Sequence, residues 1–196
     1  MSKADPASSK KERNKAIRWV LTIFIVTIIV SSLISFGSEE LMAGSHIVVS
    51  FVILFAIVLL GIIFDVIGVS VTSADEKPFH SMAARKVPGS HEAIMLLRNA
   101  DKVGSICNDV IGDICGVVSG SASATIAANV LNAGLIDSTR ERLLLLAMSA
   151  LVAGLTVAGK AFGKNFAIKS CTSIVHIVGR VIFWIRHIPD LFRKKK

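Results

Sequence analysis

The chain has few cysteines, and their spacing does not build a site. Its 196 residues include three, Cys107, Cys115 and Cys171, and no CxxC pair. An odd number without such a pair gives neither a disulfide framework nor a thiolate metal centre. We interpret all three as small apolar side chains that pack inside the protein.

Charged residues are also scarce: Asp, Glu, Lys and Arg make up 18% of the chain, whereas 53% is hydrophobic. A soluble domain of this size has no need for uninterrupted apolar runs of membrane-spanning length. Four long stretches carry no charge: Trp19–Ser38, Ile47–Phe64, Ile114–Ile136 and Leu143–Gly159. The sequence therefore predicts an all-α integral membrane protein with about four transmembrane helices and additional cytoplasmic juxtamembrane helices.

Motifs that carry catalysis are missing as well. The sequence has no paired nucleophile and base, no phosphate-binding glycine loop and no HExxH. Ser119, Ser121 and Ser123 alternate with small residues, a pattern typical of helix packing in membranes. We predict that the protein is not an enzyme and assign no catalytic or cofactor-binding residue.

The net charge of +8 does not indicate a nucleic-acid partner, because the basic residues are segregated along the chain. Of the 22 Lys and Arg, six lie in residues 1–18, five in 77–102 and nine in 160–196. The loop at 38–46 has none. This alternation follows the positive-inside rule. It predicts a multi-pass protein of the plasma membrane with both termini in the cytoplasm.

The segments flanking the spans have their own patterns. Residues 1–15 are predicted to form a disordered, basic cytoplasmic tail, and residues 16–37 an N-terminal transmembrane helix. Residues 74–102 connect the second and third spans. Proline and glycine breaks in this connector predict two short helices on the membrane surface.

Residues 165–192 are apolar but carry positive side chains at helical spacing. Lys169, His176, Arg180 and His187 follow one another at steps of 7, 4 and 7, which places them on one face of a helix. With Trp184 and the terminal RKKK, this stripe predicts a juxtamembrane amphipathic helix at an anionic inner leaflet. A fifth span is the competing interpretation, but a central arginine makes it costly.

The stretch at 103–134 is apolar enough to span a membrane, yet it contains Asn108, Asp109 and Asp113. Acids in such a helix face a partner or a wet cavity. Glycines at four-residue steps predict a seam for close helix packing, and smaller residues near the end of the fourth span predict another. These packing glycines are Gly112, Gly116, Gly120, Gly159 and Gly163.

Five charges fall at a similar depth in the inner half of the membrane once the spans are oriented. They are Asp65 near the end of the second span, Asp109 and Asp113 near the start of the third, and Lys160 and Lys164 at the end of the fourth. Two interpretations stay open. The charges form a clamp between three helices, or the oxygens form a magnesium site open to the cytoplasm.

Three motifs resemble parts of the transmembrane domain of the CNNM/CorB/CorC family of magnesium and cobalt transporters. The first is LLRNADKVGSICNDVIGDI, which is similar to the family's LLENPDRFLSTLLIGNNLVNI-type signature. The second is AGKAFGKNFAIKS, which resembles the FGEILPKTLALRN-type motif at Gly159, Lys164 and Ala167. The third, FDVIGVSVTSA, is more weakly similar to FFSGSETALTSLS. Their order and spacing cover about residues 50–190.

The resemblance implies three spans, a cytoplasmic helical pair, a juxtamembrane helix, a homodimer and a cytoplasm-facing magnesium site made by Ser, Asn and Glu oxygens. Asn108 matches that pattern, and Asp109 takes the next Asn position. Lys160 stands where the Glu is expected, Gly163 where a Pro is expected, and Asp65 where a small Ser is expected. We expect Asp65 and Lys160 to pair across the site.

These observations give two expectations for function. In the first, residues 47–192 form a CorB-like domain, without CBS domains, that transports Mg²⁺ through the ligands Asp65, Asn108, Asp109 and Asp113, with Lys160 and Lys164 as charge partners. In the second, the chain is a degenerate relative that has lost transport. It then acts as a dimeric membrane scaffold or regulatory partner, and its charges are a structural clamp.

Overall fold

The computed structural model describes residues 6–42, 46–132 and 141–193, and every element in that part of the chain is helical. The long helices are α1 (Pro6–Met42), α2 (Ile47–Ser73), α6 (Asp113–Asn132), α7 (Glu141–Lys169) and α8 (Cys171–Arg193). Short helices connect them: α3 (Lys77–Ala84), α4 (Ser90–Arg98), α5 (Ala100–Ser105) and a π-helical segment at Ile106–Gly112, here called the π segment.

Among the described residues, four helical stretches are long and apolar enough to cross a membrane. They are Ile17–Met42, Ile47–Ser73, Ala100–Val130 and Leu145–Lys169. The third stretch runs without interruption through α5, the π segment and α6. The predicted fold class is confirmed: the chain is an all-α membrane protein with four such helices.

Reciprocal glycine contacts join α2 to the third span. At each contact one helix supplies a glycine and the other places a side chain against it. Gly61 faces Cys115, Gly112 faces Asp65, Gly68 faces Asn108, and Gly104 faces Thr72. Residue numbers rise on one helix as they fall on the other, so the two helices are antiparallel. Small residues let helix backbones approach closely where the hydrophobic effect gives no drive to associate.

Parallel packing joins α2 to α7. Side chains of α2 fill two of the glycine positions on α7: Ile62 lies against Gly159, and Val66 lies against Gly163. One turn further, the Ser70 hydroxyl donates a 2.7 Å hydrogen bond to the Val66 carbonyl of its own helix and also lies 3.4 Å from the carbonyl oxygen of Ala167. The first two contacts lie at the two glycines for which the sequence predicts close packing near the end of the fourth span.

The first helix differs from its prediction at both ends. It begins at Pro6 and continues to Met42, so residues 6–15 are helical and the prediction of disorder is wrong for them. The first five residues lie outside the described part of the chain. Most of the span is open to the surroundings, but α1 contacts α6, and Val110, Ile114 and Val118 are buried there. A Lys102 ammonium also lies 5.7 Å from the Trp19 ring centroid, a cation–π contact at one end of the span.

The connector and the last helix form a separate layer at one end of the bundle. The two short helices predicted between residues 74 and 102 are α3 and α4, and α5 follows them. Phe79 and Val175 are fully buried in a core that also includes Val71 of α2. The juxtamembrane helix begins at Cys171 rather than at residue 165, because α7 continues through Lys169.

Candidate functional site

The predicted polar residues of the third span lie on or beside the π segment. A π-helix has hydrogen bonds from residue i to i+5, and such segments occur frequently at functional sites. Asn108 and Asp109 lie inside it, Gly112 ends it, and Asp113 begins the regular α-helix. One extra residue per turn changes the face on which each side chain falls. The simple four-residue spacing read from the sequence therefore does not hold here.

Lys160 reaches from α7 to the end of the π segment. Its side chain is only 24% exposed, and its Nζ donates a hydrogen bond of 3.3 Å to the carbonyl oxygen of Gly112. The same Nζ lies 3.9 Å from Oδ1 of Asp113, whose side chain is 75% exposed. Lys160 is nine residues before the end of α7, or about 14 Å along the helix axis. The ammonium is therefore too far from the end of α7 to lie beyond it, and it contacts protein groups inside the bundle.

Asp65 lies on the other side of this contact. A Cβ added to Gly112 would be 3.3 Å from the Lys160 Nζ and 3.8 Å from Oδ1 of Asp65, so both charged groups border the same glycine. The expected direct pair between Asp65 and Lys160 is not formed; the ion pair of Lys160 is with Asp113. We call Asp65, Gly112, Asp113 and Lys160 the intramembrane charge cluster.

Asn108 packs against α2 without a conventional hydrogen bond to its oxygen. Its buried Oδ1 has no hydrogen-bond partner in the described part of the chain and lies where a Cβ on Gly68 would be. Such short approaches are typical of weak Cα–H···O contacts between closely packed helices. Asn108 is therefore a packing residue in this arrangement, with one oxygen whose stronger bonding capacity is unused.

Asp109 and Lys164, in contrast, are exposed. The Ser105 hydroxyl donates a 2.7 Å hydrogen bond to Oδ2 of Asp109 within the same stretch of helix. No salt bridge of the described residues includes Lys164. The structure thus brings together Asp65, Asp113 and Lys160 from the predicted set, and leaves Asp109 and Lys164 outside the cluster.

The predicted magnesium ligands do not converge in this arrangement. Within the described ranges, no group of three or more His, Cys, Asp or Glu side chains lies close enough to hold a metal ion. Cys107 and Cys115 are buried, as predicted from the sequence, and Cys171 is half-buried. The magnesium site proposed from the sequence stays a prediction.

A groove runs between α6 and α7 from the charge cluster along the glycine seam. Its volume is about 440 Å³, and we call it the α6–α7 groove. A Cβ on Gly116 or Gly120 would meet no atom of the described residues within 4 Å, so neither glycine packs against another helix in that part of the chain. The lining also includes Ser149 and Thr156, two polar residues that the sequence analysis did not single out. Thr156 lies one helical turn before Lys160, and this spacing is the feature of the sequence from which its place in the groove could have been predicted.

The residues predicted to form a basic stripe divide between two helices. Lys169 ends α7, whereas His176, Arg180, Trp184 and His187 lie on α8. Arg180, Trp184 and His187 are exposed, but Nε2 of His176 is buried and has no hydrogen-bond partner among the described residues. The stripe is therefore not one continuous helical face.

No protein-family model matches the chain, and comparisons with curated proteins and with solved structures find no match either. The fold and the site define the class of protein instead: in the described residues it is a four-span, all-α membrane protein with a charge cluster and a polar groove between its spans. The resemblance to the CNNM/CorB/CorC domain stays a hypothesis that rests on the quoted motifs.

Proposed function

We propose that this chain is a non-transporting membrane scaffold or regulatory subunit, in which the Lys160 ammonium is the resident cation of the intramembrane site. The observation that carries the proposal is the hydrogen bond from Lys160 to the Gly112 carbonyl, with Asp113 and Asp65 beside it. In the family that the motifs resemble, the corresponding position holds a Glu. A tethered positive charge here disfavours a second cation.

The energetic argument concerns the cost of charge in a membrane. Charged side chains inside a span are expensive, and they are tolerated when they pair or contact backbone carbonyls. Lys160 does both, and its partners belong to another helix. Because the Lys160 side chain is largely covered, loss of its partners leaves its charge uncompensated, which costs more than the contacts themselves contribute. The cluster therefore acts as a clamp between α7 and the third span, with α2 alongside.

The α6–α7 groove supports a dimeric arrangement for this scaffold. Asp113 is exposed at one end of the groove although it belongs to a membrane-spanning stretch, and Gly116 and Gly120 are open along it. Lys160 lies 3.9 Å from one side of the Asp113 carboxylate, and the exposed remainder of that carboxylate needs a partner other than lipid. A second copy in the same orientation brings another Lys160 to the same depth. We propose that the groove is the homodimer surface.

The distribution of basic residues and the number of candidate spans support a topology for the proposal. An even number of spans returns the chain to the side on which it began, and both ends are rich in Lys and Arg. The proposed arrangement is a plasma-membrane protein with both termini in the cytoplasm. Labelling of single cysteines near each end, from either side of sealed vesicles, tests it.

Magnesium titration of the purified protein followed by thermal unfolding tests whether Lys160 is the resident cation. A ligand that binds only the folded state raises the melting temperature as its concentration rises. We expect no magnesium-dependent shift for the native chain and a positive shift for Lys160→Gln, because the substitution removes the competing ammonium while leaving Asp65 and Asp113. Lys164→Gln is the matched control and should behave like the native chain.

A second candidate, divalent-cation transport of the CorB type, is favoured by one observation. Asn108 presents a buried oxygen without a hydrogen-bond partner among the described residues, and its π segment ends at Gly112, which borders Asp65. Magnesium prefers such oxygens and retains several waters. In this case Lys160 must leave the site before the ion enters. A magnesium-dependent shift in the native chain that disappears in Asp65→Asn would support this candidate and overturn the resident-cation proposal.

A further inference from the structure

The last helix, α8, has two apolar faces, and only one of them is packed. The inner face contains Val175 and Gly179, which are buried against the connector and the end of α2. Gly179 lies directly against the backbone of Gly89 and the side chain of Ala93. This close contact fixes which way the helix is turned.

The outer face of α8 carries large apolar side chains that are more than half exposed. Ile177, Val181, Trp184 and Ile185 are 58%, 52%, 58% and 59% exposed. Their spacing of 4, 3 and 1 places them on one side of the helix, about opposite to Val175 and Gly179. An exposed apolar face of this kind indicates an interaction surface.

The chemistry beside this face identifies its partner. Arg180 and His187 lie next to one edge of the apolar face, and both are exposed. The α8 helix also begins after a single residue, Ser170, that follows the end of the membrane-spanning α7. A helix that starts at the membrane surface, with an apolar face and a basic edge, matches an interfacial helix at anionic phospholipid.

We propose that α8 lies in the headgroup region of the leaflet where α7 ends, with its outer face in the acyl chains and Arg180 and His187 at anionic headgroups. The inner face remains on α4, so the bilayer and the connector cover opposite sides of the helix. This assignment does not depend on whether the charge cluster binds a cation.

Tryptophan fluorescence tests the proposal on the full chain, because the sequence has only two tryptophans, Trp19 and Trp184. The Trp19→Phe variant, reconstituted in nanodiscs, leaves Trp184 as the single reporter. We expect lipids brominated near the headgroup to quench it more strongly than lipids brominated near the chain end, and aqueous iodide to quench it little. Strong quenching by iodide with none by brominated lipid would overturn the proposal.

A second variant and a second contradicting outcome complete this test. The Trp184→Phe variant reports Trp19 alone, so its signal can be subtracted from that of the native chain if Trp19→Phe does not fold. Protection of Trp184 from both iodide and brominated lipid would also overturn the proposal, since it would mean that protein covers the outer face.

The headgroup preference has its own control. Quenching of Trp184 by brominated lipid should increase when phosphatidylglycerol replaces part of the phosphatidylcholine. Arg180→Gln should reduce that increase, because it weakens the equilibrium constant for docking of α8 on the bilayer roughly fivefold. Arg186→Gln is the matched variant, because Arg186 instead lines a cavity with Glu92 of α4. Equal quenching in both lipids would overturn the assignment of anionic headgroups.

Discussion

The Nζ of Lys160 donates a hydrogen bond to the carbonyl oxygen of Gly112 at 3.3 Å, and this contact ties the fourth span to the end of the π segment. The carbonyl belongs to a residue with no side chain, so the ammonium can reach the backbone. Asp65 approaches the same glycine from α2. One glycine is thus the meeting point of three spans.

Replacing Lys160 with Met removes the ammonium while keeping a long side chain. We expect a loss of about 1–3 kcal/mol in the free energy of unfolding, because the Gly112 carbonyl and the neighbouring carboxylates lose their donor. Unfolding in mixed detergent micelles measures it. Lys164→Met, one turn away and exposed, should change stability by less than about 0.5 kcal/mol. Equal losses in the two variants would contradict the clamp.

Replacing Gly68 with Ala tests the reciprocal contacts between α2 and the third span. The new Cβ would lie 2.8 Å from Cγ of Asn108 and 3.0 Å from Cβ of Cys107, so the two helices must separate. We expect destabilisation of about 1–3 kcal/mol, as for other overpacked positions. Gly154→Ala is the control, because a Cβ there meets no atom within 4 Å and alanine favours the helix. An unchanged unfolding curve for Gly68→Ala would mean that the helices are not this close.

The sequence was sufficient to predict the number and position of the spans, because a membrane-spanning helix needs about 20 apolar residues and few charges. Of the five glycines predicted to pack, Gly112, Gly159 and Gly163 each face a side chain of α2 or α7, whereas Gly116 and Gly120 face none in the described part of the chain. Both signals depend on composition along one helix, and a single sequence records that directly.

The partners within the site were harder to predict. The π segment shifts the faces of Asn108 and Asp109 relative to Gly112, and nothing in the sequence marks where a helix takes an extra residue per turn. Lys160 pairs with Asp113 and not with the expected Asp65, and this choice depends on how the helices are turned against one another, which a single sequence does not record. The start of α8 was placed six residues early because apolar residues continue through the end of α7.

Cysteine crosslinking tests the α6–α7 groove as a dimer surface. Val117 lines the groove and is 68% exposed, so Val117→Cys should give a crosslinked dimer with a short bifunctional thiol reagent in the native membrane. Leu155→Cys is the matched control, since Leu155 is 61% exposed but lines an apolar depression between α2 and α7. The unsubstituted chain measures any background from the three native cysteines.

Filling the groove should prevent this crosslink. Adding Gly116→Leu to Val117→Cys places a large side chain where a second helix would pack, and we expect the dimer band to fall at least severalfold while the monomer stays folded. A crosslink that forms equally well with Gly116→Leu, or one that is as strong at Leu155→Cys, would assign the dimer surface elsewhere.

Gly89 allows α8 to pack closely on the connector, and its replacement should weaken that contact. Its φ is +85°, a backbone conformation that costs an L-residue energy, and a Cβ there would lie 2.7 Å from both Cα of Arg180 and the carbonyl carbon of Gly179. Gly89→Ala therefore combines backbone strain with a clash against backbone that cannot rotate away, and we expect a loss of about 2–4 kcal/mol. Limited proteolysis should then cut α8 faster than α7.

Lys86→Gly is the companion variant in the same turn. Lys86 has a φ of 57°, so glycine relieves strain there while it increases the conformational freedom of the unfolded chain. These two effects oppose each other, and the net change should be near zero. A tolerated Gly89→Ala beside a destabilising Lys86→Gly would reverse this order, and would mean that α8 is held by its outer face alone.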